Sequence, residues 1–130
     1  MSPVGFLCGL TVHQVRVRYD VRLVASDATR LDENEVEIVM EGPCIVTDSG
    51  GAEHRVQLSD PESIPALFKL QSRIIRAASA EGGTLRAALD DGSTFAIPPL
   101  GAYEAWRIEG HGGDLVICMP GGELSWRLAD

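Results

Sequence analysis

Three groups of residues in this chain have the types and spacing to do chemistry. The first lies in the run Pro98-Pro99-Leu100-Gly101-Ala102-Tyr103-Glu104-Ala105-Trp106-Arg107. In strand phase, Glu104 shares a face with Trp106 and Ile108, while Tyr103, Ala105 and Arg107 point the other way. A carboxylate in an apolar setting has its charged form disfavoured, which is how general acids and bases are made. The same placement has a structural explanation, in which Glu104 accepts backbone N–H groups where the chain enters after the two prolines. Tyr103, Glu104, Trp106, Arg107 and His111 are therefore the candidate binding residues. No catalytic constellation joins them.

The second group is Arg16, Arg18 and Arg22, which could hold a phosphate or carboxylate. Glu35 and Glu37 fall on the outward side of the next strand, so cross-strand ion pairing accounts for the arginines without a ligand.

The third group is the histidines and cysteines. His13, His54 and His111 put no ligand pair on one element, and no metal is expected. His111, between Gly110 and Gly112, reads as a turn residue, and His54, in phase with Val56 and Leu58, as a hydrogen-bonded edge or core histidine. Cys8, Cys44 and Cys118 form no Cys-x-x-Cys and read as reduced, mostly buried thiols. Cys118 lies in an apolar strand where a thiol is inert, and nothing in the spacing favours a nucleophile pair with His111.

The remaining motif-like segments have simpler readings. Gly110-His111-Gly112-Gly113 and Gly121-Gly122 lack the strand-to-helix context and the lysine of a phosphate cradle, and read as hairpin turns. The acidic segment from Asp27 to Glu41, with Asp32-Glu33-Asn34-Glu35, lacks the central glycine of a calcium loop and reads as a solvated charged face. No cofactor is implied.

The elements that must position these residues are strands. Val15, Val17, Tyr19, Val21 and Leu23 alternate with Arg16, Arg18, Asp20 and Arg22, which predicts one long half-buried strand. A second has Val36, Ile38 and Met40 inward and Glu35, Glu37 and Glu41 outward, and pairs with it. Cys44 to Thr47 and His54 to Leu58 flank Asp48-Ser49-Gly50-Gly51 as a hairpin. Ser59-Asp60-Pro61 starts one short helix near Pro61 to Gln71, with Pro65 in its first turn.

Strands follow over Arg73 to Ala80, Thr84 to Leu89 and Thr94 to Ile97, and Pro98-Pro99 stops that ladder. Three more are expected near Ala105 to Glu109, Leu115 to Met119 and Leu124 to Leu128, the middle one apolar on both faces and hence central. Met40-Glu41-Gly42 followed by Gly50-Gly51 echoes Ile108-Glu109-Gly110 followed by Gly121-Gly122. That echo suggests two β units related by a twofold, with the helix as connector. The fold class is mainly β (α+β): antiparallel meanders of nine or ten short strands with one short helix.

At 130 residues the chain is one domain, residues 1–130, large enough to bury about two-thirds of its unfolded surface. Phe6, Phe68, Phe95, Trp106 and Trp126 are the large pieces of an otherwise aliphatic core. The net charge of −8, from 19 acidic and 11 basic residues, argues against nucleic acid and anionic membranes and favours a basic partner. No span approaches membrane length. The N-terminal run lacks the basic region of a secretion signal, so a cytoplasmic location is expected.

Tyr103-Glu104-Ala105-Trp106, Glu109-Gly110, Gly113 and Cys118-Met119-Pro120-Gly121-Gly122-Glu123 together resemble a family of small, functionally uncharacterised actinobacterial proteins. Asp90-Asp91-Gly92 and Pro98-Pro99 match its pattern as well, and Glu41-Gly42-Pro43 does so loosely. The resemblance covers the chain from about Glu35 onward and implies no catalytic residue, cofactor or substrate.

The first expectation is a non-enzymatic binding or interaction module, for which an immunity-type inhibitor of a basic toxin is one concrete form. The alternatives are a small hydrolase, isomerase or small-molecule binder with Glu104 as acid or base beside Tyr103 and Trp106, and a protein that self-associates through a β edge or apolar patch.

Overall fold

A computed structural model describes residues 2–27, 35–110 and 112–129. Among them the chain forms β1 (Thr11–Val17), β2 (Val21–Ser26), β3 (Val36–Met40), β4 (Cys44–Thr47), β5 (Glu53–Val56), α1 (Pro65–Phe68), β6 (Ile75–Ser79), β7 (Leu85–Leu89), β8 (Thr94–Ile97), β9 (Trp106–Gly110), β10 (Leu115–Cys118) and β11 (Leu124–Arg127). One antiparallel sheet runs β1-β2-β3-β9-β10-β11 and the other β5-β4-β8-β7-β6. The fold is mainly β with one short helix, as the alternation predicts.

Alternating residues of both sheets build one core. Leu23, Ile38, Ile108 and Val116 line the first sheet and Val46, Leu85, Phe95 and Ile97 the second, all fully or almost fully buried. The opposite face of the first sheet carries the cross-strand ion pairs. Arg16 reaches Glu37 at 2.6 Å and Glu35 at 3.3 Å, and Arg22 reaches Glu37 at 3.1 Å and Asp20 at 2.9 Å. Val24 and Val39 lie on that charged face, since Val24 pairs with Glu37 and Val39 with Arg22 and Arg107, yet both are fully buried. The aliphatic stems of the surrounding charged side chains are what can cover them.

Several expectations are corrected. The alternation from Val15 to Leu23 is two strands, with Arg18-Tyr19-Asp20 as the turn between them. A period of two runs unbroken through that short turn, so it hides the reversal. The expected helix is a 3-10 turn over Pro61–Ser63 followed by the single turn of α1, and Pro65 does begin that turn. β10 is second from the edge of its sheet and not central. Phe68 and Trp126 are about half exposed and leave Trp106 and Phe95 as the large buried aromatics, with Phe6 packed partly against the core. Cys44 and Cys118 are buried, whereas Cys8 is exposed.

The internal repeat takes a different form from the echo. Exchanging β1–β5 with β6–β10 turns the order β1-β2-β3-β9-β10 into β6-β7-β8-β4-β5, which is the second sheet read backwards. Each half is a three-stranded meander followed by a hairpin that crosses to the other sheet, and β11 has no counterpart. The bulge of β1 between Val12 and Gln14 recurs in β6 between Ile75 and Ala77, and the spacing from Cys44 to Trp106 matches that from Glu53 to Leu115. The starts of β1 and β6 meet where such an axis would pass: Thr11 bridges Ile74, and the Gly9 and Ile75 N–H groups donate to Ile75 O and Leu10 O at 2.8 Å each.

The sequence echo instead equates β3-β4-β5 with β9-β10-β11. This fails because Gly42 sits at a sheet crossing, whereas Gly110 closes a hairpin through its N–H to Asp114 O at 2.8 Å. The helical connector does join the two halves, and it packs against β5.

Candidate functional site

The residues singled out from sequence do not converge. Trp106 is fully buried, and its indole N–H donates to Gly83 O at 2.9 Å. Arg107 lies on the charged face, with Nε donating to Glu109 at 2.7 Å and Nη1 facing Glu41 at 3.4 Å. Hydrogen bonding to Glu109 raises its pKa further.

Glu104 and Tyr103 precede β9 in the crossing loop and are exposed, Tyr103 by 72%. Glu104 makes no hydrogen bond or ion pair with the described residues. Both the buried acid–base placement and the backbone-lock placement are therefore corrected. The strand phase does not extend back to Glu104, because Ala105 and Trp106 are buried consecutively: Ala105 N–H donates to Cys118 O, and its carbonyl accepts from Glu41 and Gly42. His111 lies outside the described residues.

The approximate twofold points to a different place. At the end of the sandwich where Met40, Trp106 and Cys118 pair in one row, the β6–β7 turn seats tightly on one flank. A Cβ on Gly83 would come within 2.5 Å of Gly122 Cα, so two glycines in the left-handed region, at φ +84° and +100°, permit the contact. Trp106 fills the space behind it. Gly121 N–H donates to Leu100 O at 2.8 Å, and Cys118 Sγ lies 3.3 Å from the same Gly83 carbonyl that the indole uses.

On the other flank of the same end, the matching positions carry different side chains. In the frame of β2 and β7, where Ala25 matches Leu89 and Val24 matches Ala88, Tyr19 stands where Gly83 stands. Cys44 opens β4 as Trp106 opens β9. The bulky tyrosine cannot seat as glycine does, and the buried cysteine is far smaller than an indole. The result is a cleft of about 310 Å³ lined by Tyr19, Val21, Met40, Val56, Leu58 and Leu100, with Asp20, Glu41 and Gly42 at its edge.

The cleft has an apolar floor and an acidic rim. Tyr19 is 95% exposed and Leu58 40% exposed, so apolar surface continues from the floor outward. Leu100 packs directly over Gly42, whose added Cβ would lie 3.1 Å from Leu100 Cδ1. Asp20 is held by Arg22, and Glu41 has one oxygen near Arg107. Below, burial pushes the Cys44 thiol up to about 12, so it stays protonated and adds no charge.

Two other polar places have local explanations. Asp48 Oδ1 accepts the Gly50 and Ala52 N–H groups at 3.0 Å each, while Oδ2 faces His54 at 3.1 Å and Lys69 at 3.6 Å. Those bonds, His54 first, hold Asp48 down at about 2, and together they close the β4–β5 turn. His54 is thus a hydrogen-bonded residue of an edge strand. A broad trough of about 700 Å³ runs along β1, and its Arg16, Arg22 and Glu37 are already paired with one another or with neighbours. Among the described residues no cluster of three or more His, Cys, Asp or Glu could hold a metal, and no helix is long and apolar enough to cross a membrane.

Tyr19, Leu58 and Leu100 were not singled out from sequence. The one available signal was the exposed tyrosine between two charged residues in Arg18-Tyr19-Asp20, and the apparent strand periodicity masked it.

No curated protein and no solved structure matches the chain. A family described only as of unknown function, DUF6188, matches residues 5–127, and the chain belongs to that family.

Proposed function

We propose that this protein is a non-enzymatic interaction module that presents the Tyr19–Leu58–Leu100 cleft to a basic protein partner. The observation that carries the reading is Tyr19, an aromatic side chain almost wholly in solvent at the mouth of an apolar cleft. Tyrosine in such a place supplies large contact area at little conformational cost, and aromatic residues dominate the energetics of protein interfaces. The net charge of −8 favours encounter with a cationic surface and supports, as one form, an immunity-type inhibitor of a basic toxin. The acid–base alternative draws no support from Glu104, which is exposed and engaged by no side chain among the described residues.

Replacing Tyr19 in cells by the photo-reactive p-benzoylphenylalanine tests this reading, with the same replacement at Thr47 on the far sheet as control. Position 19 is expected to trap a lysine- and arginine-rich polypeptide, with a yield that falls as salt rises, and position 47 is not. Equal trapping at both positions, or none at 19, would overturn the reading.

A second reading, self-association, rests on β11. Its outer edge has no strand partner among the described residues, and Trp126, opposite the buried Val116, is 51% exposed. No strand of the second sheet corresponds to β11, so Trp126 overhangs the core. Unprotected edges of this kind invite pairing.

A further inference from the structure

We infer that the cleft is an anchor site for one aromatic side chain, carried on a partner segment with lysine or arginine on either side. This inference rests on the interaction reading above and specifies what the partner must contain. The argument comes from the molecule's own sealed flank. There, the crossing strand opens with Trp106, whose indole fills the junction between Met40 and Cys118 and donates to a turn carbonyl, Gly83 O. On the other flank of the same end the crossing strand opens with Cys44, paired with Val56, and the turn that holds the counterpart of Gly83 is Arg18-Tyr19-Asp20.

The two flanks share connectivity but differ in filling. Trp106 is replaced by a side chain smaller by most of an indole, and Gly83 by a tyrosine that holds the turn away. The open volume of about 310 Å³ exceeds one indole and sits over Met40 and Val56, apolar residues suited to a flat aromatic face. An aromatic group entering from outside would occupy the place that Trp106 occupies from inside.

Charge selects the flanks of that group. Glu41 at the rim is 43% exposed and shares only one oxygen with Arg107, at 3.4 Å. Asp60 follows Ser59, which lines the cleft, and its carboxylate has no side-chain partner among the described residues. Residues on either side of a buried aromatic therefore face carboxylates, which favours cations and repels acidic flanks.

The test uses fluorescein-labelled peptides of sequence Gly-Lys-Lys-Trp-Lys-Lys-Gly, with alanine in place of tryptophan or glutamate in place of lysine, read by fluorescence anisotropy on the whole chain. The parent peptide is expected to bind. Its affinity is expected to fall about tenfold with alanine and at least as much with glutamate. Leu58→Arg, which places a cation in the cleft, is expected to abolish binding. Tyr19→Ala removes a side chain that is 95% exposed and so leaves the fold intact; it is expected to weaken binding several-fold even if Leu58→Arg misfolds.

Equal binding of the alanine peptide, equal binding of the glutamate peptide, undiminished binding to Tyr19→Ala, or no binding of the parent peptide would each overturn the anchor. The cross-linking contrast between positions 19 and 47 does not depend on the anchor's chemistry, so it reports separately on the interaction reading.

Discussion

At the scale of single residues, Trp106 and Glu104 exchange the importance that their sequence neighbourhood gives them. Trp106 is a fully buried indole with a satisfied N–H, and Trp106→Phe both removes volume and leaves the Gly83 carbonyl only the weak Cys118 thiol as donor. A loss of about 2–4 kcal/mol in unfolding free energy by urea titration is expected. Glu104→Gln, on an exposed loop with no partner, is expected to change stability by less than about 0.5 kcal/mol. A large loss for Glu104→Gln would restore the structural lock that the geometry denies. Both residues were conspicuous in the sequence, but only their burial separates them. Burial here depends on where β9 begins, and Pro98-Pro99 does not fix that point, because eight residues of loop separate Ile97 from Trp106.

At the scale of elements, the strands were largely legible because each carries its own period-two pattern and glycine or aspartate turns separate them. Cys44–Thr47 and Thr94–Ile97 match the structure to the residue, and the Arg16, Arg22, Glu35 and Glu37 ion pairs follow from facing positions on adjacent strands. The Arg18-Tyr19-Asp20 turn was not legible, since it interrupts neither the polar nor the apolar series. Nor was the exchange of strands between sheets, which is set by pairing between residues far apart, such as Met40 with Trp106.

The two turns that differ between the halves allow a direct comparison. Gly83→Ala would press a Cβ to 2.5 Å from Gly122 Cα and also requires a positive φ, so a loss of more than about 2 kcal/mol is expected. Gly82→Ala meets nothing within 4 Å and carries only the conformational cost, about 1 kcal/mol. Thermal and urea denaturation of the pair measure this, and equal losses would mean that the β6–β7 turn is not seated on Gly122.

At the scale of the whole molecule, the protein is two interlocked halves with one extra strand, and its asymmetry lies at the two junctions where a turn meets a crossing strand. One junction is sealed by glycine against glycine over an indole. The other is open above Val21, Met40 and Val56, with Tyr19 and Leu58 presented outward.

The most direct test is a methyl NMR titration with free indole. The account predicts saturable shifts of the Val56, Leu58 and Leu100 methyl signals, with those of Val12, Ile75 and Leu89 at the far end of the sandwich unmoved. Shifts of equal size in both sets, or none at the cleft, would contradict it.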